Sequence, residues 1–95
     1  QVVELDLIAV KGKTEPARIF TIIEDFAPAA ERAHNIFLDH YRAGRWERAL
    51  TMAYEMGPVW GGALSAYYEM MLERITQLSA NPPENWDGIY RATSK

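Results

Sequence analysis

The chain has no cysteine among its 95 residues, which excludes disulfide bonds, thiolate catalysis and zinc–thiolate sites within it. It also lacks any run of about 18 apolar residues, so the sequence predicts no membrane-spanning segment in this stretch. Excess positive charge is missing too, because 10 Lys and Arg stand against 13 Asp and Glu. The charges are interspersed, and this argues against a nucleic-acid or anionic-membrane surface.

What the sequence does have is enough apolar material for one modest core. Hydrophobic residues make up 48% of the chain, and they include three Trp, five Tyr and three Phe. The length fits one domain and leaves little room for two. Strand-like sequence starts at residue 1 without an initiator Met, so we expect the chain to be a piece of a longer protein.

Residues 2–10 carry the two-residue periodicity of a β-strand. Residues 17–23 are rich in β-branched and aromatic side chains, which also favours a strand. The six residues KGKTEP at 11–16 separate them and end in a proline, as expected of a turn. The sequence therefore predicts a β-hairpin, which needs more sheet or covering helices to be stable in water. One face of the first strand is fully apolar and carries Val3, Leu5, Leu7 and Ala9.

From residue 28 the apolar period changes to about 3.6 residues, which is typical of amphipathic helices. It predicts three helices, at residues 28–43, 45–56 and 60–78, with Arg74 on the polar face of the third. Residues 79–95 contain two prolines and an Asp-Gly pair, and they predict an extended tail. The expected stripe of the first helix holds Ala30, Ala33, Phe37 and Tyr41, with Ile36 beside it. The aromatic and apolar side chains of the tail that could dock on the helices are Trp86, Ile89 and Tyr90.

The spacing Tyr41-x-x-Gly44-x-Trp46-x-x-Ala49 joins the first two helices. It resembles one tetratricopeptide repeat, although the second helix stops early and no second copy follows at the period of about 34 residues. An ordinary helical hairpin and a tetratricopeptide-like hairpin capped by the third helix both stay open. The predicted fold class is α+β, with an N-terminal β-hairpin, three helices and an extended C-terminal tail. The candidate partner surface on the helices consists of Trp46, Trp60, Tyr67 and Tyr68.

Few residues suggest chemistry. His34 and His40 fall on different sides of the first predicted helix, so we expect no zinc site. No serine stands in a nucleophile context. The two lysines around Gly12 remain. Both Lys11 and Lys13 could simply be solvated in a turn, or a lysine at the end of a strand could reach a polyphosphate as a compact positive charge.

Residues 4–23, ELDLIAVKGKTEPARIFTII, resemble the final β-hairpin of class III nucleotide cyclase catalytic domains. In that hairpin a strand ends in Lys-Gly, and Glu-Pro-(Val/Ala) leads into an aromatic-containing last strand. The rest of the chain, through LSANPPENWDGIYRATSK, resembles the helical tail that follows the catalytic domain in many bacterial adenylate cyclases. The resemblance implies that residues 1–24 end a catalytic domain and that 25–95 form a helical C-terminal region.

Such cyclases convert ATP to cyclic AMP and diphosphate at a dimer interface. They use two aspartates that hold Mg²⁺ or Mn²⁺, base-reading residues, and an Asn and Arg that stabilise the transition state. None of these motifs lies in the chain, so we expect no catalytic residue, metal or cofactor in it and no activity of the chain alone. Only the lysine that contacts the triphosphate carries over, and it corresponds to Lys11; no family role falls on Lys13.

Two functions stay open at this point. The chain is either an accessory and regulatory part of an adenylate or guanylate cyclase in signal transduction, or a non-enzymatic tetratricopeptide-like interaction module. The expected partners are the rest of the catalytic domain, a second copy, and a protein or peptide on the helical face, but neither nucleic acid nor an inserted membrane. The expected location is cytoplasmic, with any membrane anchor of the parent enzyme outside this chain.

Overall fold

The computed structural model describes residues 1–91, and the end of the predicted tail at 92–95 lies outside this range. The described chain is a β-hairpin followed by three α-helices, so the predicted α+β class is confirmed. A short 3-10 helix, Val59–Gly62, precedes the last helix. The elements are β1 (Val2–Ile8), β2 (Ala17–Ile22), α1 (Pro28–Arg42), α2 (Trp46–Glu55) and α3 (Ser65–Ala80).

The two strands pair antiparallel with one irregularity near the middle of β1. Glu4 is opposite Phe20 and Asp6 is opposite Ile19, so Leu5 is the extra residue of a β-bulge. A bulge changes which side chains share a face of the strand. Asp6 is therefore buried, as is Val3, whereas Ala9 at the end of the predicted apolar face is exposed. The predicted face is correct for Val3 and wrong for Ala9.

The first two helices begin and end within one residue of the predicted positions. Pro28 suits the first turn of α1, where its missing N–H costs no intrahelical bond. Gly44, with φ of +77°, ends α1 in a left-handed conformation that favours glycine. The buried stripe of α1 contains His34 and Leu38 as well as the expected aromatics. Ile36 is exposed, so its predicted place beside the core stripe is wrong.

The third helix starts later than the apolar pattern predicted. Trp60, Gly61 and Gly62 have φ values of +65°, +62° and +84°, and such left-handed residues cannot continue a right-handed helix. The α-helix therefore begins only at Ser65. The Trp60 side chain nevertheless reaches the core, which is why its position fitted the periodicity of the helix that follows.

One hydrophobic core joins the hairpin to the helices. Side-chain hydrogen bonds join β1 to α1 and α3, and α2 packs against both of its neighbouring helices. None of the helices in residues 1–91 combines the length and the apolar character needed to cross a membrane. The buried apolar side chains are those of Val3, Ile23, Phe37, Leu38, Tyr41, Ala49, Ala53, Met56, Trp60, Leu64, Tyr68, Met71 and Ile75.

Candidate functional site

The tip of the hairpin presents Lys11 to solvent. The backbone N–H of Lys13 donates to the carbonyl oxygen of Val10 at 3.1 Å, which closes a four-residue turn. Gly12 occupies the third position of this turn with φ of +84°. A positive φ at the third position of a β-turn favours glycine. Lys11 is exposed and forms no ion pair with a carboxylate of residues 1–91. Its ammonium group can therefore donate up to three hydrogen bonds to an anion that approaches from outside.

Two carboxylates of β1 connect the hairpin to the helices. Glu4 accepts hydrogen bonds from Arg18 Nη1 at 2.7 Å and from Arg42 Nη2 at 3.0 Å. Burial raises the pKa of Glu4, but the two arginines outweigh burial and lower it below its ordinary value. Asp6 accepts from Arg74 Nη1 at 2.8 Å, and these two side chains are only 10% and 13% exposed. The ion pairs of Glu4 with Arg42 and of Asp6 with Arg74 hold β1 against α1 and α3.

Arg74, which lies on α3, has a second hydrogen-bond partner besides Asp6. Its Nη1 donates to the hydroxyl of Tyr41 at 3.2 Å. Burial lowers the pKa of Arg74, but Tyr41 and Asp6 outweigh burial and raise it, so the guanidinium stays charged. The sequence predicted Arg74 on the polar face of the third helix, whereas in the structure most of its side chain is buried beside Asp6 of the hairpin.

A buried hydrogen-bond chain runs from the 3-10 helix to β1 through His34. His34 Nε2 lies 2.7 Å from the carbonyl oxygen of Glu4, and its Nδ1 lies 2.8 Å from the Tyr68 hydroxyl. Because a carbonyl only accepts, Nε2 carries the proton and Nδ1 accepts from Tyr68. The Tyr68 oxygen in turn accepts from Trp60 Nε1 at 3.3 Å. We call this series, from Trp60 through Tyr68 and His34 to Glu4, the His34 chain.

Burial and hydrogen bonding both favour a neutral imidazole in the His34 chain, because only then can the Tyr68 hydroxyl donate to Nδ1. Burial lowers the pKa of His34, although its bond to the Glu4 carbonyl acts in the opposite direction. Burial likewise raises the pKa of Tyr68 to about 12, which keeps its hydroxyl protonated and able to donate. Every donor in the series thus has an acceptor, and no buried group of the series is left unpaired.

Residues 86–90, which we call the tail strap, return to the hairpin across the helices. Trp86 Nε1 donates to the carbonyl oxygen of Tyr41 at 3.1 Å, and the Trp86 ring packs 5.3 Å from that of Trp46. Gly88 has φ of +85°, and a Cβ there would lie 3.3 Å from Cβ of Arg42. The predicted docking of Trp86 on the helices is confirmed.

Tyr90 at the end of the strap pairs with the outer edge of β1. The N–H of Ala9 donates to the Tyr90 carbonyl and the N–H of Tyr90 donates to the Leu7 carbonyl, each at 2.9 Å. The bridge to Ile8 is parallel. The Arg74 guanidinium lies 3.7 Å from the centre of the Tyr90 ring, in the position of a cation–π contact. Ala9, the residue whose N–H bonds to the end of the strap, is only two residues before Lys11.

No protein-family model, no curated protein and no solved structure matches this chain. The assignment of function depends on the geometry above and on the resemblance of the sequence motifs.

The candidate partner surface is only partly available to a partner. Tyr68 is 1% exposed and Trp60 is 9% exposed, so both belong to the core. Trp46 and Tyr67 are half-buried, and the Tyr67 hydroxyl donates to the carbonyl of Leu5 at 2.6 Å. These four residues form internal contacts of this chain because their apolar spacing reflects the core. The predicted partner surface is therefore wrong for Trp60 and Tyr68, and for Trp46 and Tyr67 it stays a prediction.

The divalent metal implied by the resemblance does not fit a site in the described chain. Residues 1–91 contain no group of three His, Cys, Asp or Glu side chains that could hold a metal ion. His34 is bonded within the core and His40 Nδ1 accepts from Arg45 Nε at 2.8 Å. No role of His34, Asp6 or Arg42 was predicted from the sequence. An aspartate inside an apolar strand was the one signal that could have pointed to this junction.

Proposed function

We propose that this chain is the C-terminal part of a class III adenylate or guanylate cyclase. In this role Lys11 contacts the phosphates of the nucleotide, and the helices hold the last hairpin of the catalytic domain and regulate it. The reaction of such an enzyme is cyclisation of ATP to cyclic AMP with release of diphosphate. The groups that bind metal and stabilise the transition state would come from the catalytic core of the longer protein.

The observation that carries the proposal is the placement of Lys11. It stands three residues after the end of β1, at an exposed turn that Gly12 shapes, and it forms no ion pair with a carboxylate of residues 1–91. A triphosphate favours such a compact ammonium group at the edge of a site. The exposed position of Lys11 is consistent with the phosphate contact that the sequence resemblance implies for it.

The open side of the hairpin is a second support. Ile22 is 75% exposed and Phe20 is 52% exposed, although both are large apolar residues in a strand. The outer edge of β1 is partly closed by Tyr90, whereas β2 pairs only with β1 within residues 1–91. A two-stranded sheet that exposes large apolar side chains is marginally stable in water. Such a surface is expected where further strands or another domain cover it. The catalytic core of a cyclase would supply that cover.

The test is cyclic AMP production from ATP with Mn²⁺ by the longer protein that includes the catalytic core. Lys11→Ala removes one charge-assisted phosphate contact worth about 1.5 to 3 kcal/mol. Since about 1.4 kcal/mol is a factor of ten, kcat/KM for ATP should fall about 10- to 100-fold. The matched control is Lys13→Ala, which removes the same charge two residues away and should leave kcat/KM within about twofold of the unsubstituted enzyme.

Two outcomes would count against the proposal. Equal kinetics of the Lys11→Ala and unsubstituted enzymes would remove Lys11 from the nucleotide site. A folded longer protein that makes no cyclic nucleotide would remove the cyclase assignment, and the tetratricopeptide-like interaction module would then be the function to pursue. A version that ends at Asp25 tests the helical region separately, because loss of α1 to α3 should change either the rate or the dimerisation.

A further inference from the structure

The segment that carries Lys11 has few fixed points. The β1–β2 ladder ends at the pair Ile8 and Ala17, and all residues from 9 to 16 are exposed. Between the ladder and Lys11, two backbone hydrogen bonds remain in the described chain. The bond from the Lys13 N–H to the Val10 carbonyl lies within the turn, so the bond from the Ala9 N–H to the Tyr90 carbonyl is the one that ties this segment to the rest of the fold. The position of the turn thus depends on a residue almost eighty places further along the sequence.

The tail strap is anchored firmly enough to transmit this constraint. At one end Trp86 is bonded to Tyr41 and packed between Tyr41 and Trp46, with ring centres 5.5 and 5.3 Å away. At the other end the Tyr90 ring lies on the guanidinium of Arg74, which is itself bonded to Asp6. The strap therefore connects α1, α2 and α3 to the same edge of β1.

The middle of the strap favours glycine. Gly88 is buried with φ of +85°, and a Cβ at this position would crowd Cβ, Cγ and the carbonyl oxygen of Arg42. A Cβ would meet these atoms at 3.3 to 3.4 Å, so both the backbone conformation and the close approach oppose any other residue. This contact allows the strap to lie flat across α1 and reach β1.

We propose that the tail strap positions the turn that bears Lys11, so that phosphate binding at this turn depends on the docking of residues 86–90 against the helices. A change in the helical region that releases the strap would free Ala9 and loosen the turn. The consequence for nucleotide binding rests on the proposed function, whereas the mechanical coupling rests on the contacts of the strap alone.

The coupling is measurable in the 95-residue chain by ¹⁵N relaxation and amide hydrogen exchange. In the unsubstituted chain the backbone order parameters of Lys11 and Gly12 should be close to the value of about 0.85 of rigid backbone, and in Gly88→Ala they should fall below about 0.6. Exchange of the Ala9 amide hydrogen should become at least about tenfold faster, because its bond to Tyr90 is lost.

The matched control is Gly62→Ala. Gly62 has φ of +84°, almost the same as Gly88, but no atom lies within 4 Å of the position of its Cβ. Both substitutions therefore introduce the same left-handed strain, and only Gly88→Ala disturbs the strap. Core amides such as that of Met71 should respond alike in both variants. If Gly88→Ala does not fold, Trp86→Phe keeps an aromatic ring, removes the indole bond to Tyr41, and should raise the Ala9 exchange rate about threefold or more.

The inference is overturned if the turn is already mobile in the unsubstituted chain, or if the strap variants leave Lys11, Gly12 and Ala9 as they are in Gly62→Ala. The two proposals can fail separately. If Gly88→Ala loosens the turn but Lys11→Ala leaves ATP use unchanged, the strap stands and the cyclase assignment fails. If Lys11→Ala weakens ATP use but Gly88→Ala changes neither the turn nor KM for ATP, the assignment stands and the strap does not position Lys11.

Discussion

The Tyr68 hydroxyl is the centre of the His34 chain, and Tyr68→Phe tests the chain with the smallest change of shape. The ring is fully buried, and phenylalanine retains all of its carbon atoms. The substitution removes only the oxygen that donates to His34 Nδ1 and accepts from Trp60 Nε1. Any loss of stability therefore reports on hydrogen bonding rather than on a cavity.

The expected magnitude follows from the groups left without partners. Because His34 is fully buried, its Nδ1 cannot form a replacement hydrogen bond with water. An unsatisfied buried polar group costs about 1 to 3 kcal/mol. The bond from Trp60 is long at 3.3 Å, and its loss adds less. We expect the free energy of unfolding to fall by about 2 to 3 kcal/mol, a large part of the total of about 5 to 14 kcal/mol for a chain of this size.

Urea unfolding at pH 7.5 measures this change while His34 is neutral. With a slope of about 1 to 3 kcal/mol/M, the midpoint should fall by about 0.7 to 3 M and the slope should stay constant. Tyr54→Phe is the control, because Tyr54 is 77% exposed and its hydroxyl should contribute less than about 0.5 kcal/mol. A loss below about 0.5 kcal/mol for Tyr68→Phe would refute the hydrogen-bond chain.

Two further predictions concern the charges around the same junction. Because burial lowers the pKa of His34 from its ordinary 6.5, the unfolded chain takes up a proton that the folded chain does not. Stability should therefore fall as the pH drops below about 6.5. The lowered pKa of Glu4 adds a loss only below 4.5, so urea midpoints that are equal at pH 7.5 and 5.5 would contradict a buried neutral His34. Arg74→Met leaves Asp6 buried without its charged partner and should lower the free energy of unfolding by about 3 to 5 kcal/mol. Arg91→Met breaks a solvent-exposed pair and should lower it far less in the same experiment; equal losses would contradict the buried pair.

The sequence predicted the elements well because their signals are local. Pro28 and Gly44 mark the ends of α1, and the apolar period of each helix spans only a few turns, so the predicted and observed bounds agree closely for α1 and α2. The exposed Lys11 turn was equally readable, since Gly12 and the following proline determine it. Trp60 misled the prediction of α3 because apolar spacing reports burial, and a left-handed residue can be buried as well as a helical one.

The sequence by itself determined the order of strands and helices, the turn with its lysines, and the aromatic side chains of the tail that would dock. Only the tertiary structure decided which polar groups meet. Asp6 and Arg74 are 68 residues apart and Glu4 and His34 are 30 apart, and no local period encodes such pairs. The bulge at Leu5 and the bridge of Tyr90 to β1 likewise depend on elements distant in sequence. Hydrogen bonds and ion pairs act over a few ångströms in space, so they become visible only after the hydrophobic core has brought the hairpin, the helices and the tail together.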